Sequence, residues 1–203
     1  VEFVVTSDFF ASKYSTLFLH TELYIEEESS LQKLSTLVTN SFGFAVVSMQ
    51  QFNFELEFQN QITVVLDGIR DPGNLGTIIR ICDWYGIKQI VLSPDCTDYF
   101  NPKVIAASMG SFSRIHFKYM DLEQLFRGNS NIPVLGALLD GDDIHSIAFP
   151  TACFLLFGNE SNGIRLENLP FISQKVTIPK YGNAESLNVG ISTAIFLDNL
   201  RRN

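Results

Sequence analysis

The hydrophobic positions of the chain follow a pattern that changes near residue 62. Uninterrupted apolar runs appear after that point, namely ITVVLD at 62–67, KQIVLS at 88–93, PVLGALL at 133–139 and CFLLFG at 153–158. Strands that are apolar on both faces are typical of a parallel sheet covered by helices on two sides. The pattern therefore predicts an α/β fold for this part of the chain.

Segments with helical spacing separate these runs. They predict helices at Leu75–Tyr85, Lys103–Ser108, Leu122–Arg127 and Leu187–Arg201. The last of these is apolar on nearly every side, through Val189, Ile191, Ala194, Ile195 and Leu197. Such a helix is expected to be buried between surfaces, and burial between two subunits would account for the pattern.

The first part of the chain lacks these long apolar runs. Its hydrophobic pattern consists of short elements with polar positions between them. The pattern predicts strands at 2–6, 22–25 and 44–48 and helices at 7–13 and 29–37. The polar stretch that follows lacks a helical stripe and is interpreted as a linker or as the first edge of the next domain. The predicted organisation is a small α/β unit at 1–50, a linker at 51–61 and a larger domain at 62–203.

Composition narrows the classes of protein that fit. A chain of 203 residues that is 46% hydrophobic and 18% charged is typical of a globular protein with a full core. No apolar run is long enough to span a membrane and no secretion signal is visible, so a cytoplasmic location is predicted. The cysteines at 82, 96 and 153 are scattered among apolar residues, which predicts buried, reduced thiols and no metal site.

The net charge of −8 excludes a protein that binds nucleic acid by bulk electrostatic attraction. Any contact with RNA would need a local basic patch. Arg80 is a candidate for one, because it stands among the apolar residues Ile78, Ile79 and Ile81. A buried guanidinium must be paired, so Arg80 is expected to bind an anion or to form a salt bridge with a carboxylate such as Asp83.

The turn after the first apolar run, LDGIRDPGNLGTIIR, contains Gly68, Gly73 and Gly76 and opens a predicted helix. Free amides and a helix N-terminus can bind an anion or a polar ligand, although the same glycines also serve simple turns. Their spacing fits neither the dinucleotide fingerprint nor a P-loop, which argues against a nucleotide-dependent oxidoreductase.

Two later segments also suggest a ligand site. FGNESNGI places Gly158 at the end of a strand, where open α/β sheets bind ligands and where a side chain would be expected to fill the ligand's space. In KYGNAESLNVGIS, Ser186 and Asn188 directly precede the last helix. The alternatives are an ordinary Gly-Asn turn in the first segment and helix capping in the second.

Taken in order, DPGNLGTIIR, LLFGNESNGI and IPKYGNAESLNVGISTAIFLDNL resemble the three motifs of the SpoU (TrmH-like) family of RNA ribose 2′-O-methyltransferases. ASMGSF at 107–112 also resembles the family's small-residue segment between its first and second motifs. The resemblance covers the chain from about Ile62 to its end. It implies a SPOUT fold, in which a C-terminal trefoil knot binds S-adenosylmethionine.

The resemblance also implies roles for individual residues. The donor-binding positions would be Gly158, Asn159, Ile178, Leu187 and Asn188. The catalytic positions would be Asn74, Arg80, Glu160, Ser186 and Asn188. Because a guanidinium is a poor proton acceptor, Arg80 is expected to stabilise the developing alkoxide and to grip an RNA phosphate.

The N-terminal unit resembles, less closely, part of the L30e-like RNA-binding domain often fused to these enzymes, through LQKLSTLVTNSFGFAVVSM. The first helix and the basic strand typical of that domain are missing, so the unit is expected to be a partial one. These features predict a homodimeric enzyme that methylates ribosomal RNA, or transfer RNA. The alternative is a catalytically silent RNA-binding protein on the same fold.

Overall fold

A computed structural model describes residues 1–35, 39–48 and 55–202. The end of the predicted helix at 29–37 and the first residues of the predicted linker at 51–61 lie outside these ranges. The chain divides into two compact units, Val1–Asn53 and Phe54–Asn203.

The first unit contains a three-stranded sheet with short helices. Strand β1 (Phe3–Thr6) lies between β2 (Glu22–Ile25), to which it is parallel, and β3 (Gly43–Val46), to which it is antiparallel. Helix α1 (Asp8–Lys13) follows β1, and α2 (Glu28–Leu34) follows β2. Ser7, predicted as the first helical residue, is instead the N-cap of α1 and accepts a hydrogen bond from the Phe10 amide.

The second unit is built on a parallel sheet of six strands in the order β6-β5-β4-β8-β7-β9. These strands are β4 (Ile62–Asp67), β5 (Gln89–Leu92), β6 (His116–Tyr119), β7 (Val134–Asp143), β8 (Cys153–Gly158) and β9 (Gln174–Thr177). The helices are α3 (Pro72–Trp84), α4 (Pro102–Ser108), α5 (Leu122–Gly128) and α6 (Val189–Arg202). The predicted α/β architecture with a parallel sheet is confirmed.

Alternate residues of the central strands face two separate cores. Val64 and Leu66 of β4 belong to one hydrophobic cluster, which also contains α3 and α6 residues, while Val65 belongs to the other, with α5. Burial on both faces explains why these strands read as continuous apolar runs. The three cysteines are free and buried, as the sequence predicted.

Helices α3 and α4 approach each other closely at Gly76. A Cβ atom added at Gly76 would overlap the Ala107 side chain and the Val104 carbonyl oxygen. The small residues at the end of α4 and the glycine in α3 therefore allow the two helices to touch backbone to backbone. This contact fixes the helix that carries Asn74 and Arg80.

Candidate functional site

A cleft opens where β8 and β9 end. Its volume is about 720 Å³, within the usual range for small-molecule sites. The loop after β8, the segment between β9 and α6, and the middle of β7 form its walls. Of the residues predicted from the sequence, the cleft is lined by Gly158, Asn159, Glu160, Ile178, Ser186 and Leu187.

The loop after β8 folds back on itself at its start. The Asn159 and Gly163 backbones exchange hydrogen bonds of 3.0 and 2.8 Å, and Gly163 has a positive φ of 67°. A Cβ atom added at Gly158 would overlap the backbone of Gly163 and Ile164. The expected reason for glycine here needs correction, because a side chain would first collide with the loop itself.

Asn159 braces this loop against the neighbouring strand. Its Nδ2 donates to the Gly68 carbonyl oxygen at 2.8 Å, and its Oδ1 accepts from the Ser161 amide at 2.9 Å. The turn after β4 and the turn after β8 are thereby joined. The side chain that was predicted to contact the donor also has a structural role within the protein.

Three of the predicted catalytic side chains meet through Asn74. Asn74 Nδ2 donates to Glu160 Oε1 at 2.5 Å, and Asn74 Oδ1 accepts from Asn188 Nδ2 at 2.8 Å. The partners are separated by 86 and 114 residues along the chain. The fold therefore joins the N-terminal turn of α3 to the loop after β8 and to the start of α6.

Asn188 has a second role as the cap of α6. Its Oδ1 accepts from the Gly190 amide at 2.9 Å and from the Ile191 amide at 3.3 Å. The capping interpretation is confirmed for Asn188. Glu160 is consequently connected through two asparagine side chains to the N-terminus of α6.

Arg80 differs from its predicted environment. Its side chain is exposed, and it lies about one and a half helical turns beyond Asn74. Among the described residues, Arg80 forms no ion pair. Asp83, the suggested partner, instead binds Arg114 at 2.7 Å. The exposed face of α3 explains the difference, because Ile78 and Ile79 face the core whereas Arg80 lies on the opposite side.

The sequence also matches a known family over most of its length. The SpoU rRNA Methylase family profile matches residues 61–198. The chain belongs to this family. The match begins at the predicted start of the larger domain and includes Asn74, Arg80, Glu160, Ser186 and Asn188.

Individual SpoU relatives agree with this assignment. A curated relative, the 23S rRNA (guanosine(2553)-2′-O)-methyltransferase RlmP of Bacillus subtilis, is 33% identical over 68% of this chain. The alignment spans only 57% of that relative's length.

Solved structures match both units of this SpoU chain. A TrmH-family structure from Porphyromonas gingivalis has a TM-score of 0.78 and 32% identity, covering 100% of this chain and 83% of that one. An rRNA methyltransferase from Sinorhizobium meliloti, crystallised with S-adenosylmethionine, has a TM-score of 0.76 and 28% identity. That match covers 99% of this chain and 79% of that one.

Sequence reasoning missed a cluster of polar contacts that joins the end of β4 to the segment following the loop after β8. Asp67, the last residue of β4, is fully buried and binds Arg165 and Asn168. The signal was a carboxylate at the end of the apolar run ITVVLD, where an unpaired charge would be costly. Arg165 is therefore already engaged within the protein.

Neither a metal site nor a membrane segment is evident in the part of the SpoU chain that the structure describes. Within 1–35, 39–48 and 55–202, His, Cys, Asp and Glu side chains form no group of three or more suited to a metal ion. Across the same ranges no helix combines the length and apolarity required to cross a membrane.

Proposed function

We propose that this protein transfers a methyl group from S-adenosylmethionine to a ribose 2′-hydroxyl of ribosomal RNA. Family membership and the names of the RlmP and S. meliloti relatives support the reaction and the substrate class. The observation that carries the proposal is the junction of Asn74, Glu160 and Asn188 at the edge of a cleft. A catalytically silent RNA-binding protein is not favoured, because these relatives are named as methyltransferases.

The cleft suits the methyl donor in size and in the chemistry of its walls. Backbone groups near Gly158, Ile178 and Leu187 line it, together with apolar side chains that suit an adenine ring. We assign donor binding to these residues and to Asn159 and Asn188. When bound, S-adenosylmethionine supplies an electrophilic methyl group attached to a sulfonium.

Arg80 is proposed to act on the RNA side of the reaction. An exposed guanidinium without an ion-pair partner among the described residues is available to a phosphate or to an oxygen that gains negative charge. A guanidinium is a poor proton acceptor, so the role proposed for Arg80 is charge stabilisation rather than removal of the hydroxyl proton. Glu160 and Ser186 are proposed to shape the site, with Glu160 held by Asn74.

The proposal is tested by incubating the purified protein with isotopically labelled S-adenosylmethionine and unmodified ribosomal RNA. Nuclease digestion and mass spectrometry then separate ribose-methylated from base-methylated nucleosides. We expect label in a 2′-O-methyl nucleoside and none with Arg80→Ala. Methylation of a base, or donor binding without any transfer to RNA, would contradict the proposed reaction.

Three finer features complete the proposal. We assign a trefoil knot to the C-terminal part of the second unit, on the basis of family membership and the structural matches. We assign an L30e-like RNA-binding role to the first unit, since the matches to these two structures extend over it. We also propose a homodimer, in which the exposed Ile191 of α6 contributes to the interface.

A further inference from the structure

Asp67 is a charged residue in an otherwise apolar position. Its side chain has no solvent exposure, yet it receives three hydrogen bonds from one segment. Oδ2 accepts from the Arg165 amide at 2.9 Å and from Asn168 Nδ2 at 2.8 Å, and Oδ1 accepts from Arg165 Nε at 2.5 Å. Every one of these donors belongs to the segment that follows the loop after β8.

Arg165 extends the cluster to the next strand. Its Nη2 lies 3.5 Å from Asp95 Oδ1, and that carboxylate accepts from the Ser93 hydroxyl at 2.7 Å. The Ser93 hydroxyl in turn accepts from the Gly68 amide at 2.8 Å. The ends of β4 and β5 are therefore connected to Arg165 by polar contacts.

The electrostatics favour the charged forms of Arg165 and Asp95. Partial burial opposes the charge on Arg165, but attraction to Asp67, Asp95 and Glu167 outweighs it and raises the pKa of Arg165. Partial burial likewise opposes the charge on Asp95, but the Ser93 hydrogen bond and Arg165 lower its pKa overall. The ion pair between Arg165 and Asp95 therefore persists throughout the neutral pH range.

The same segment supplies a wall of the cleft. Residues 157–164 and Leu169 line the cleft, and Arg165 and Asn168 lie between them in the sequence. Asn159 fixes the start of the wall to Gly68, while Asp67 fixes its end through Arg165 and Asn168. Two consecutive residues of the β4 end thus hold the wall at two points.

We propose that Asp67 and Arg165 are positioning residues for the methyl donor, which hold the wall at 157–164 in the geometry that binds it. Neither residue lines the cleft, so they act through the wall. The proposal rests on the proposed function, because it concerns the same donor site. Small displacements of a binding wall are costly, and a misplacement of about 1 Å can reduce catalysis about 100-fold.

The guanidinium geometry makes Arg165→Lys the informative variant. Arg165 uses Nε for Asp67 and Nη2 for Asp95, which a single ammonium group cannot reproduce in both directions. The lysine variant keeps the charge and most of the volume, so the fold should survive. Asp67→Asn is the complementary variant, since it removes the charge and keeps the shape.

A second Asp–Arg pair provides matched controls. Asp83 Oδ2 binds Arg114 Nη2 at 2.7 Å and Nε at 2.9 Å, and neither residue lines the cleft. We expect Arg165→Lys and Asp67→Asn to weaken S-adenosylmethionine binding at least about tenfold in calorimetry. We expect Arg114→Lys and Asp83→Asn to change donor affinity less than about twofold, whatever their effect on the urea midpoint.

Kinetics distinguish positioning from loss of folded protein. A positioning role predicts a higher KM for the donor with kcat at saturating donor largely retained, and an unchanged number of sites per chain. A purely structural role predicts fewer competent sites with unaltered affinity, and that result would overturn the inference. If wild-type protein itself fails to bind the donor, the proposed function fails as well.

Discussion

At the residue scale, Asn74 is the point on which the candidate site converges. A side-chain amide can donate and accept at once, and Asn74 uses both abilities, toward Glu160 and Asn188. An aspartate or a leucine of similar size could not do this. The chemistry of an amide therefore explains why an asparagine is found here.

Asn188 allows its two roles to be separated by substitution. Asn188→Asp keeps the acceptor that caps α6 but loses the donor to Asn74, whereas Asn188→Ala loses both. We expect stability to change by less than about 0.5 kcal/mol in the aspartate variant and to fall by about 1 kcal/mol in the alanine variant. Both variants should lose activity.

Urea unfolding and methyl transfer, measured on the same preparations, check this expectation. Asn101→Asp is the control, because Asn101 caps α4 through its acceptor oxygen without taking part in the site. An aspartate at 188 that retains full activity would show that the link to Asn74 is dispensable.

Arg80→Ala is expected to lower methyl transfer at least about 100-fold, by the loss of charge stabilisation at the reacting oxygen. Donor affinity should stay within about twofold, because Arg80 does not line the cleft. Parallel calorimetry and methyl-transfer assays measure the two quantities. A large loss of donor affinity with proportionate residual activity would place Arg80 in the donor pocket.

The sequence predicted which residues come together better than it predicted their environments. The motif segments led to Asn74, Glu160 and Asn188, which the fold joins. Arg80 was expected to be buried because its neighbours in the sequence are apolar, but helical periodicity places it outside. Asp67 and Arg165 were not identified as partners, since their contact depends on tertiary structure.

At the scale of elements, short edge strands were the hardest to predict. The strands β6 (HFKY) and β9 (QKVT) lie at the two edges of the sheet and carry charged residues. They lack the continuous apolar pattern because they are only partly buried. The central strands β4 and β8 were predicted with their observed bounds because both of their faces are covered.

The close contact of α3 and α4 predicts opposite effects of two glycine substitutions. Gly76→Ala should destabilise the protein by about 1–3 kcal/mol, because the new methyl group overlaps Ala107 and the Val104 carbonyl. Gly128→Ala, near the end of α5, meets no atom within 4 Å and should be neutral or stabilising. Thermal and urea unfolding of both variants measure the change in stability. They show whether steric overlap or helix propensity determines the effect of each substitution.

An ion pair connects α3 to the segment after α4 and should give stability a defined pH dependence. Hydrogen bonding to Arg114 lowers the pKa of Asp83 despite its partial burial. The contribution of Asp83 is thus complete above about pH 4 and is lost as pH falls through the lowered pKa.

We therefore expect Asp83→Asn to be less stable than the wild type at pH 7. The difference should narrow below about pH 4, where the wild-type carboxyl group also becomes neutral. Urea midpoints at several pH values measure this. A difference that stays constant with pH would exclude the ion pair as its source.

At the scale of the whole molecule, the exposed surface of α6 bears on assembly. Ile191 is 52% exposed, while Phe196 and Leu197 of the same helix are buried in the core. One side of the helix is therefore buried in its own unit, and the side that carries Ile191 is exposed. The sequence pattern predicted apolar residues on nearly every side, and the structure shows which side remains open.

If the enzyme is a homodimer with a shared site, two inactive variants should complement each other. Arg80→Ala and Asn188→Ala produced together should recover about a quarter of wild-type activity, because half of the random dimers contain one intact site. Light scattering must first show a dimer at assay concentration. A fully active monomer would overturn the proposal, and a dimer without complementation would place Arg80 in its own subunit's site.

The residues of the Glu160–Asn74–Asn188 junction lie far apart in the sequence, and this also affects how the chain folds during its synthesis on the ribosome. Asn188 is made 114 residues after Asn74, which takes about 6–23 seconds at ordinary translation rates. Until synthesis passes residue 158, β4 has been made but its neighbour β8 is incomplete or absent, so the edge of β4 that pairs with β8 has no native partner. Translation speed over this stretch, and any chaperone present, therefore influence how many nascent chains become active enzymes.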